Sequence, residues 1–562
     1  MVSESKQTPI LRTNPAALLF GNGAILLLLA GMVALQWRAG SLLFGSSPQS
    51  DAAKHFASGV MVFDYLRTGH ATNPMRFAED FEVHYPLVAI GQWPPMYYAV
   101  QAAYYFVAGP FIDSAQILSV LTAALLALLL FLSLKAHTGI QIALIAAVVF
   151  LATPLVQLAA WEIMSDLLTG LFVYLATLAF VRLLDEPGDR RAALAFGAAA
   201  VAAVLTKGSA WALGPFFLLA PVFSRRTHFF RGRWFRGTLL LLVLAGSIFY
   251  VLAARGGIGY PIRLSHYLSV GIDERWSTLD RVLQFAPVSL IVLGLLGAIV
   301  ALRARWRGGD QSRWTTLCLA SAAWVTAQLL FLIVLPMTPE PRVLLPSLAP
   351  LVVLAADFLL WVQVALRRAP LLAAIVPALL AAVVLVESVP NTRYRVDGFR
   401  EVANAMPYPP DGALILVAAN DQRGEEEVIA ERLSRGRAHR DVILRGSHEL
   451  ATMNVDSGID QPIFQTPDAV RAYLLQMPVR FVVLGSPPYQ YPFQPLIEAA
   501  VTGDPQDFQL IARVPLLVQP SHLNAGELRV YENPAGRYRR PAVIQIRLGS
   551  FAGGRILEYR WK

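Results

Sequence analysis

The amino-acid sequence predicts a polytopic α-helical membrane protein, with about eleven transmembrane helices, that continues into a soluble α/β domain. Of its 562 residues, 56% are hydrophobic and only 15% are charged, a balance that soluble domains rarely reach. Apolar runs of about 20 residues, the length that crosses a bilayer, recur as far as residue 390. Beyond that point short strand-like runs alternate with helical segments. We therefore expect a transmembrane domain over 1–390 and an α/β domain over 391–562.

The formal net charge of +9 does not indicate a nucleic acid partner. In a membrane protein an excess of arginine is first explained by cytoplasmic loops, which collect basic residues. The partner that the apolar composition indicates is therefore the lipid bilayer, and the charge requires no nucleic acid. The single cysteine, Cys318, lies inside an apolar run, so an intrachain disulfide is excluded.

Twelve apolar segments are candidate spans. The first follows a polar N-terminal stretch and has no small-residue cleavage site after it, so we expect an uncleaved span and not a signal peptide. The segments are 16–37, 93–110, 113–134, 139–158, 166–184, 191–206, 209–223, 238–254, 283–302, 314–335, 342–362 and 370–388.

The distribution of arginine indicates which segment does not cross. Most arginines of the connecting stretches lie in 224–236, 303–313 and 367–368. If 93–110 crossed the bilayer, all three stretches would face outward; if it lies along the interface, all three face the cytoplasm, as the positive-inside rule requires. The aromatic composition of 93–110 also favours an interfacial helix. Eleven spans then place the N-terminus inside and the α/β domain outside the cytoplasm.

The loop between the first two spans, residues 39–112, is too long for a simple connector and contains an isolated acid. Residues 48–67 predict a helix in which Asp51, Lys54 and His55 share one face, while the apolar face lies on the bilayer. A partly desolvated Asp51 could have a raised pKa and accept a proton from a hydroxyl group. Alternatively, the acid only stabilises the positive N-terminus of its helix.

Four more charged residues at span ends face the same side as Asp51 on this topology. Asp166 begins the fourth span, Lys207 follows the fifth, and Glu340 and Arg342 follow the ninth. Two carboxylates in one cavity could divide the base and orienting roles, and the cations could bind a phosphate. The alternatives are an acid at a helix N-terminus for Asp166 and snorkelling to the lipid headgroups for the cations.

Polar and aromatic residues of the outer loops are candidates for substrate binding. The aromatic ones could equally be interfacial anchors, and the histidines could be solvated. A divalent metal ion held by carboxylates and histidines is left open, and no further cofactor is indicated. The candidates are Gln92, Trp93, Tyr97, His55, His266 and Tyr267.

The segment after Pro390 predicts a small α/β domain without chemistry of its own. It has no G-x-G-x-x-G, no P-loop and no Cys/His cluster with metal-ligand spacing. Helices are expected over 425–435 and 468–476. Strands are expected at 413–418, 441–445, 479–485, 508–514, 528–532 and 543–548.

Together these features resemble the GT-C superfamily of membrane glycosyltransferases, in particular the bacterial aminoarabinose transferase and the protein O-mannosyltransferases. The resemblance covers about residues 14–390 and depends on the order and spacing of several short motifs. They are Asp51 after the first span, P-P-M-Y-Y at 94–98, M-S-D-L-L-T-G at 164–170, L-T-K-G at 205–208, and E-P-R-V-L-L-P-S-L-A-P at 340–350.

The resemblance implies an enzyme that moves a sugar from a polyprenyl-phosphate carrier to an acceptor outside the cytoplasm, with inversion, in a bacterial cytoplasmic membrane. It also implies that Asp51 and Asp166 match the family's catalytic acids. One departure stands out, because Gln92 and Trp93 occupy the places of an acid–lysine pair in the aminoarabinose enzymes. This departure argues against identical substrates and leaves the sugar, the acceptor and any metal open.

Two other classes of function compete with this interpretation. A transporter or flippase for a lipid-linked glycan should carry charged residues at mid-bilayer and often has internal repeats. A non-catalytic envelope assembly protein should depend on its outer domain and not on Asp51. The gathering of polar residues at one membrane face favours the transferase.

Overall fold

The computed structural model of the chain describes most of both domains. The predicted first span at 16–37, most of that at 238–254, and the loop at 255–282 lie outside the described residues. The described residues are 50–68, 73–88, 93–231, parts of 236–247, 286–307, 309–335, 340–388, 395–436, 440–452, 461–519, 523–537, 543–547 and 556–560.

Among the described residues before 390, helices are the elements from which the structure is built. Short 3₁₀ turns at Gly208–Ala212, Thr227–Arg231 and Pro341–Ser347 join some of the helices. The helices are α1 (Ser50–Thr68), α2 (Pro74–His84), α3 (Met96–Ala108), α4 (Ile112–Ala152), α5 (Pro154–Trp161), α6 (Asp166–Asp185), α7 (Arg190–Val204), α8 (Leu213–Phe223), α9 (Val288–Trp306), α10 (Arg313–Val334), α11 (Leu348–Ala365) and α12 (Pro370–Ser388).

Local signals in the sequence explain several helix ends. The Asp189 carboxylate accepts hydrogen bonds from two backbone N–H groups at the start of α7, at 2.8 and 3.2 Å. The Ser312 hydroxyl accepts one such bond, from the backbone N–H of Thr315, at the start of α10. Gly139 adopts φ of +80°, a left-handed conformation that breaks α4 into two helical parts. That break falls where the sequence predicts the boundary between the spans at 113–134 and 139–158.

Six helical segments of the described residues are long and apolar enough to cross a membrane. The chain is therefore a multi-pass membrane protein, and the predicted fold class is confirmed, although the number of eleven spans stays a prediction. The six segments are Ile112–Ala152, Asp166–Asp185, Val288–Trp306, Arg313–Val334, Pro341–Ala365 and Pro370–Ser388.

The outer-loop helices α1 and α3 pack against each other. The Phe56 ring lies 6.5 Å from the Tyr105 ring, and the Phe63 ring lies 6.2 Å from the same tyrosine. Phe56 and Phe63 are buried by this contact. The expectation that the apolar face of α1 lies on the bilayer is therefore wrong, because that face packs on protein. Helix α3 has 13 residues, too few for a span of about 20.

The C-terminal domain is built on a six-stranded mixed sheet. Its helices are α13 (Phe399–Ala405), α14 (Gln422–Arg435), α15 (Gly446–Glu449), α16 (Pro467–Gln476) and α17 (Gln494–Thr502). Its strands are β1 (Arg395–Asp397), β2 (Leu414–Ala418), β3 (Val442–Arg445), β4 (Ala451–Thr452), β5 (Gln461–Pro462), β6 (Phe481–Gly485), β7 (Gln509–Gln519), β8 (Leu523–Glu532), β9 (Ile544–Arg547) and β10 (Ile556–Tyr559).

The order of strands in the large sheet is β1-β7-β8-β6-β2-β3. Strand β2 pairs in parallel with both β3 and β6, while β8 pairs antiparallel with β6 and β7. Strands β2, β3 and β6 are buried along their whole length, which explains their continuous apolar sequences. The remaining strands form two small antiparallel ladders, β4 with β5 and β9 with β10.

The domain contacts the outer loop of the membrane part. Helix α14 lies against α1, and the His84 Nδ1 atom lies 2.7 Å from the backbone oxygen of Asp441. The Arg400 guanidinium bonds Asp113 at 3.4 Å. These contacts bring the C-terminal domain next to the helix that contains Asp51.

Candidate active site

The first of three components of the candidate site is an ion pair between the outer loop and the segment before α11. Asp51 lies in the first turn of α1, and its Oδ2 atom accepts a hydrogen bond of 2.7 Å from Arg342 Nη2. Arg342 also pairs through Nε with Glu340, and its Nη1 lies 3.2 Å from the Met164 sulfur. Pro341 begins the 3₁₀ turn that contains Arg342 and restrains its backbone.

The second component is an ion pair between α6 and the segment after α7. Asp166 is the first residue of α6 and is buried, with 1% of its surface exposed. Its Oδ1 atom accepts a hydrogen bond of 2.6 Å from Lys207 Nζ. The other oxygen, Oδ2, is buried and has no hydrogen-bond partner in the described part of the chain. A buried charged oxygen without a donor is expensive unless a ligand supplies one.

The third component is an aromatic pocket around His55, one turn after Asp51 on α1. His55 is buried, and its ring lies 4.5 Å from the Trp93 ring and 5.4 Å from the Tyr97 ring. Its Nδ1 atom is 3.1 Å from the Tyr98 hydroxyl. The P-P-M-Y-Y segment that closes the outer loop therefore packs around the helix that opens it.

The burial of His55 sets its protonation. Loss of hydration in this pocket lowers the pKa of the imidazole to about 3, although the charge of Asp51 acts in the opposite direction. Lys207 and Arg342 lower the pKa further, and Asp166 opposes them. The imidazole is therefore neutral at physiological pH and can serve as a hydrogen-bonding group.

The same electrostatic interactions show that the three components form one site. Four charged groups from four different segments, Asp51, Asp166, Lys207 and Arg342, act on the single ring of His55. Asp166 also interacts with the guanidinium of Arg342. The two ion pairs and the aromatic pocket therefore lie close enough to influence one another electrostatically.

The expected raised pKa of Asp51 is wrong. Burial alone would raise the pKa of this carboxyl group, but the hydrogen bond from Arg342 and the nearby positive charges hold it below its usual value. As long as Arg342 donates its hydrogen bond to Asp51, the carboxylate of Asp51 is ionised but only weakly basic.

Several of the predicted site residues meet here, and others lie outside the described residues. Asp51, His55, Asp166, Lys207 and Arg342 converge with Trp93, Tyr97 and Glu340. Gln92, His266 and Tyr267 lie outside the described residues. Within the described ranges, no group of three His, Cys, Asp or Glu side chains could hold a metal ion.

Sequence reasoning missed two contacts of the site. Tyr98 bonds His55, and its only signal was its position beside Tyr97 in the closing segment. Met164 contacts Arg342 through sulfur, and an apolar residue at a span end gives no sign of such a role.

The arrangement suits displacement of a phosphate by a nucleophilic oxygen. Lys207 and Arg342 can neutralise the negative charge that develops on a departing phosphate. A carboxylate beside them can take a proton from an attacking hydroxyl group. The aromatic rings offer apolar faces against which a sugar ring could pack.

Comparison with known proteins places these elements in a wider context. Residues 92–251 match the family described as dolichyl-phosphate-mannose-protein mannosyltransferase. This stretch contains Trp93, Tyr97, Asp166 and Lys207 of the site. No curated protein sequence matches the chain.

Two solved structures of one protein share the fold of nearly the whole chain. ArnT from Cupriavidus metallidurans, bound to undecaprenyl phosphate, is similar with a TM-score of 0.54 and 14% identity, over 92% of this chain and 99% of that one. The apo state of the same protein has a TM-score of 0.52 and 15% identity, over the same shares of the two chains. The Archaeoglobus fulgidus oligosaccharyltransferase has a TM-score of 0.48 and 13% identity, over 82% of this chain and 67% of that one. The predicted resemblance to the GT-C superfamily is thereby confirmed.

Proposed function

We propose, on the premise that this chain is a GT-C membrane glycosyltransferase, that it transfers a sugar from a polyprenyl-phosphate carrier to an extracytoplasmic acceptor. The observation that carries the proposal is the meeting of two carboxylate–cation pairs, Asp51 with Arg342 and Asp166 with Lys207, beside one aromatic pocket. Cupriavidus ArnT was solved with undecaprenyl phosphate bound, which supports a carrier of this class.

The proposed reaction is a single displacement at the anomeric carbon. The acceptor oxygen attacks from the face opposite the carrier phosphate, and the configuration inverts. The bond between the anomeric carbon and the phosphate oxygen breaks, and its electron pair leaves with the phosphate. A hydroxyl acceptor also releases a proton, which Asp51 accepts. A phosphate acceptor brings an ionised oxygen and needs no base.

The cations Lys207 and Arg342 bind the carrier phosphate. A guanidinium can donate two parallel hydrogen bonds to phosphate oxygens, and a lysine adds a point charge. Their own charge is already balanced by carboxylates, so the phosphate must replace one of these partners. Asp51 is the partner that can be displaced, because its side chain is 23% exposed while that of Asp166 is 1% exposed.

This exchange gives the reaction an order. While Arg342 holds Asp51, the pKa of the carboxyl group stays low. When the donor phosphate takes the guanidinium, that bond is lost and the burial that raises the pKa remains. Donor binding therefore turns Asp51 into a better base before the acceptor arrives.

The aromatic pocket holds the sugar. Trp93 and Tyr97 present ring faces and edges, and the neutral imidazole of His55 supplies a hydrogen-bonding nitrogen. Glu340 orients Arg342. The remaining candidates, Gln92, His266 and Tyr267, belong to outer loops and are proposed to complete the substrate contacts.

We place this site on the outer face of a bacterial cytoplasmic membrane, with the N-terminus in the cytoplasm and the C-terminal domain outside. The alternatives are a transporter for a lipid-linked glycan and a non-catalytic envelope assembly protein. One intramembrane acid, Asp357 on α11, is of the kind that transporters use. Its Oδ1 accepts a 2.7 Å hydrogen bond from Trp314, which gives it a structural role and favours the transferase.

The test is transfer of labelled sugar by purified protein in detergent. A panel of undecaprenyl-phosphate sugars is offered with lipid, glycan and protein acceptors. We expect transfer by the wild type and a loss of about 10²-fold or more in kcat for Asp51→Asn with a hydroxyl acceptor. Arg342→Gln should raise the donor KM as well, because it removes a phosphate ligand.

Asp80→Asn is the matched control, because Asp80 is an exposed carboxylate on α2 of the same outer loop. It should leave transfer unchanged. Undiminished transfer by Asp51→Asn to a hydroxyl acceptor, with fold retained, would rule out the assigned base. Absence of transfer from every donor by the folded wild type would rule out the transferase itself.

A further inference from the structure

We propose that the C-terminal domain positions the helix that contains Asp51, through a buried ionic chain formed by Lys54, Glu426 and Arg445. The inference depends on the proposed function for its catalytic consequence. It makes Lys54 and Glu426 positioning residues, which act on the reaction through α1 without touching the substrate.

Helix α1 lies between one helix of the outer loop and one helix of the C-terminal domain. One side packs on α3, the aromatic helix that closes the same loop. The other side contacts α14 of the C-terminal domain, more than 350 residues further along the chain. The position of Asp51 at the start of α1 therefore depends on both neighbours.

Lys54 makes an ion pair between α1 and α14. It lies three residues after Asp51, on the same face of the helix. Its Nζ atom is 3.0 Å from Glu426 Oε1, and the two side chains are 18% and 0% exposed. The charges of an ion pair so well shielded from water interact strongly, and removal of one partner leaves the other buried without compensation.

The carboxylate that receives Lys54 is itself held rigidly. Glu426 Oε1 also accepts hydrogen bonds from Arg445 at 3.1 Å and from Gln422 at 3.0 Å. The Arg445 guanidinium continues to Glu425 at 3.3 Å, and Glu425 accepts a 2.9 Å bond from the backbone of Ser447. The chain of charges therefore runs from α1 into the buried interior of the domain, at the end of β3.

Other contacts attach the domain independently of Lys54. The His84 ring bonds the backbone of Asp441, and Arg400 bonds Asp113. Loss of the Lys54–Glu426 pair should therefore leave the domain docked while α1 shifts or loosens. A displacement of about 1 Å of a catalytic group can cost about 10²-fold in rate.

The experiment compares Lys54→Met, Glu426→Gln, the double variant and Lys54→Arg in the transfer assay. We expect each single variant to lose about 10- to 100-fold in kcat, with the donor KM changed by less than about 3-fold. The double variant should be no worse than the poorer single variant, because each single variant already removes the Lys54–Glu426 contact. Lys54→Arg keeps the charge and should retain most of the activity.

Arg471→Met is the control. Arg471 forms ion pairs with Asp504 and Asp507 in the same domain but on the partly exposed α16. It should leave kcat unchanged. An unchanged kcat in Lys54→Met, additive losses in the double variant, or an equal loss in Arg471→Met would each overturn the proposal.

Hydrogen exchange of residues 50–68 separates this proposal from the function on which it depends. Lys54→Met and Glu426→Gln should exchange faster than the wild type over this helix, whatever the enzyme's substrate. Unchanged exchange would overturn the positioning role even if transfer is observed. Faster exchange in a protein without transferase activity would support the positioning and reject only the function.

Discussion

Asp51 and Asp166 each lie in the first turn of a helix, where an acid is stabilised by the helix dipole alone. The structure adds a cation from a distant segment to each of them. Arg342 is 291 residues from Asp51, and Lys207 is 41 residues from Asp166. A helix N-terminus already stabilises the ionised acid through its partial positive charge. The addition of a full cation at both positions therefore supports a role of these residues in binding and chemistry.

His55 gives a prediction about pH. The unfolded chain binds a proton at this histidine near pH 6.5, whereas the folded protein does so only near pH 3. Between these values the unfolded state binds more protons, so the folded state loses stability as the pH falls. The loss is roughly 1.4 kcal/mol for each pH unit from this group. A His55→Gln variant cannot titrate and should lack this part of the dependence.

Tryptophan fluorescence during thermal unfolding in detergent measures the effect. Between pH 6.5 and 4.5 the wild type should lose about 2–3 kcal/mol more than His55→Gln. Parallel pH profiles for the two proteins would show that His55 is not buried in its neutral form. Glu425, whose pKa is raised to about 7 by burial, is present in both proteins and cancels in the comparison.

At the scale of elements, glycines decide how closely two helices of the membrane part approach. Gly294 and Gly297 lie one turn apart on α9 and face Leu351 and Leu354 of α11. A Cβ atom at Gly297 would lie 1.8 Å from the backbone oxygen of Leu354. Small residues at such contacts let helix backbones approach within a membrane.

We therefore expect Gly297→Ala to destabilise the protein by about 1–3 kcal/mol, because α9 must move away from α11. Labelling of the buried thiol of Cys318 by a maleimide dye during heating reports unfolding. The apparent Tm of the variant should fall by several degrees.

Gly214→Ala on α8 is the control for this substitution. A Cβ atom there would meet nothing within 4 Å, so its Tm should be unchanged or slightly higher. Equal effects of the two substitutions would contradict the close contact between α9 and α11.

At the scale of the whole molecule, the arginine distribution and the site make one joint prediction. The loops rich in arginine should face the cytoplasm, and the C-terminal domain should lie on the other side with Asp51. The contact of α14 with α1 requires that the domain and the start of the outer loop share one side.

Cysteine labelling in intact spheroplasts tests this topology on the Cys318→Ala background. Arg190→Cys, in an exposed position at the start of α7, should react with an impermeant maleimide only after permeabilisation. Gln506→Cys, exposed on the C-terminal domain, should react in intact spheroplasts. The opposite pattern would invert the proposed orientation.

Much of the fold was predictable because it depends on local patterns. Apolar runs at 166–184, 314–335 and 370–388 became helices at Asp166–Asp185, Arg313–Val334 and Pro370–Ser388. Strand-like runs at 413–418 and 479–485 became β2 and β6, which are the buried parallel centre of the sheet. A short helix such as α17 was missed, because its 9 residues are too few to establish a helical period in the sequence.

The candidate site was predictable in its members and not in its contacts. Residue type, and the gathering of charged groups at one membrane face, pointed to Asp51, Asp166, Lys207 and Arg342. Which acid pairs with which cation depends on how helices pack, and the wrong direction expected for the Asp51 pKa follows from that missing partner.

By itself, the sequence determined that this is a multi-pass membrane protein with an α/β domain, and which charged residues stand at the ends of its helices. Hydropathy and capping are properties of short segments, so they can be read along the chain. Only the tertiary structure decided that Arg342 holds Asp51, that His55 is buried among aromatic rings, and that Glu426 receives Lys54. These contacts join residues from 38 to more than 370 positions apart, and their strength depends on shielding from water that packing alone creates.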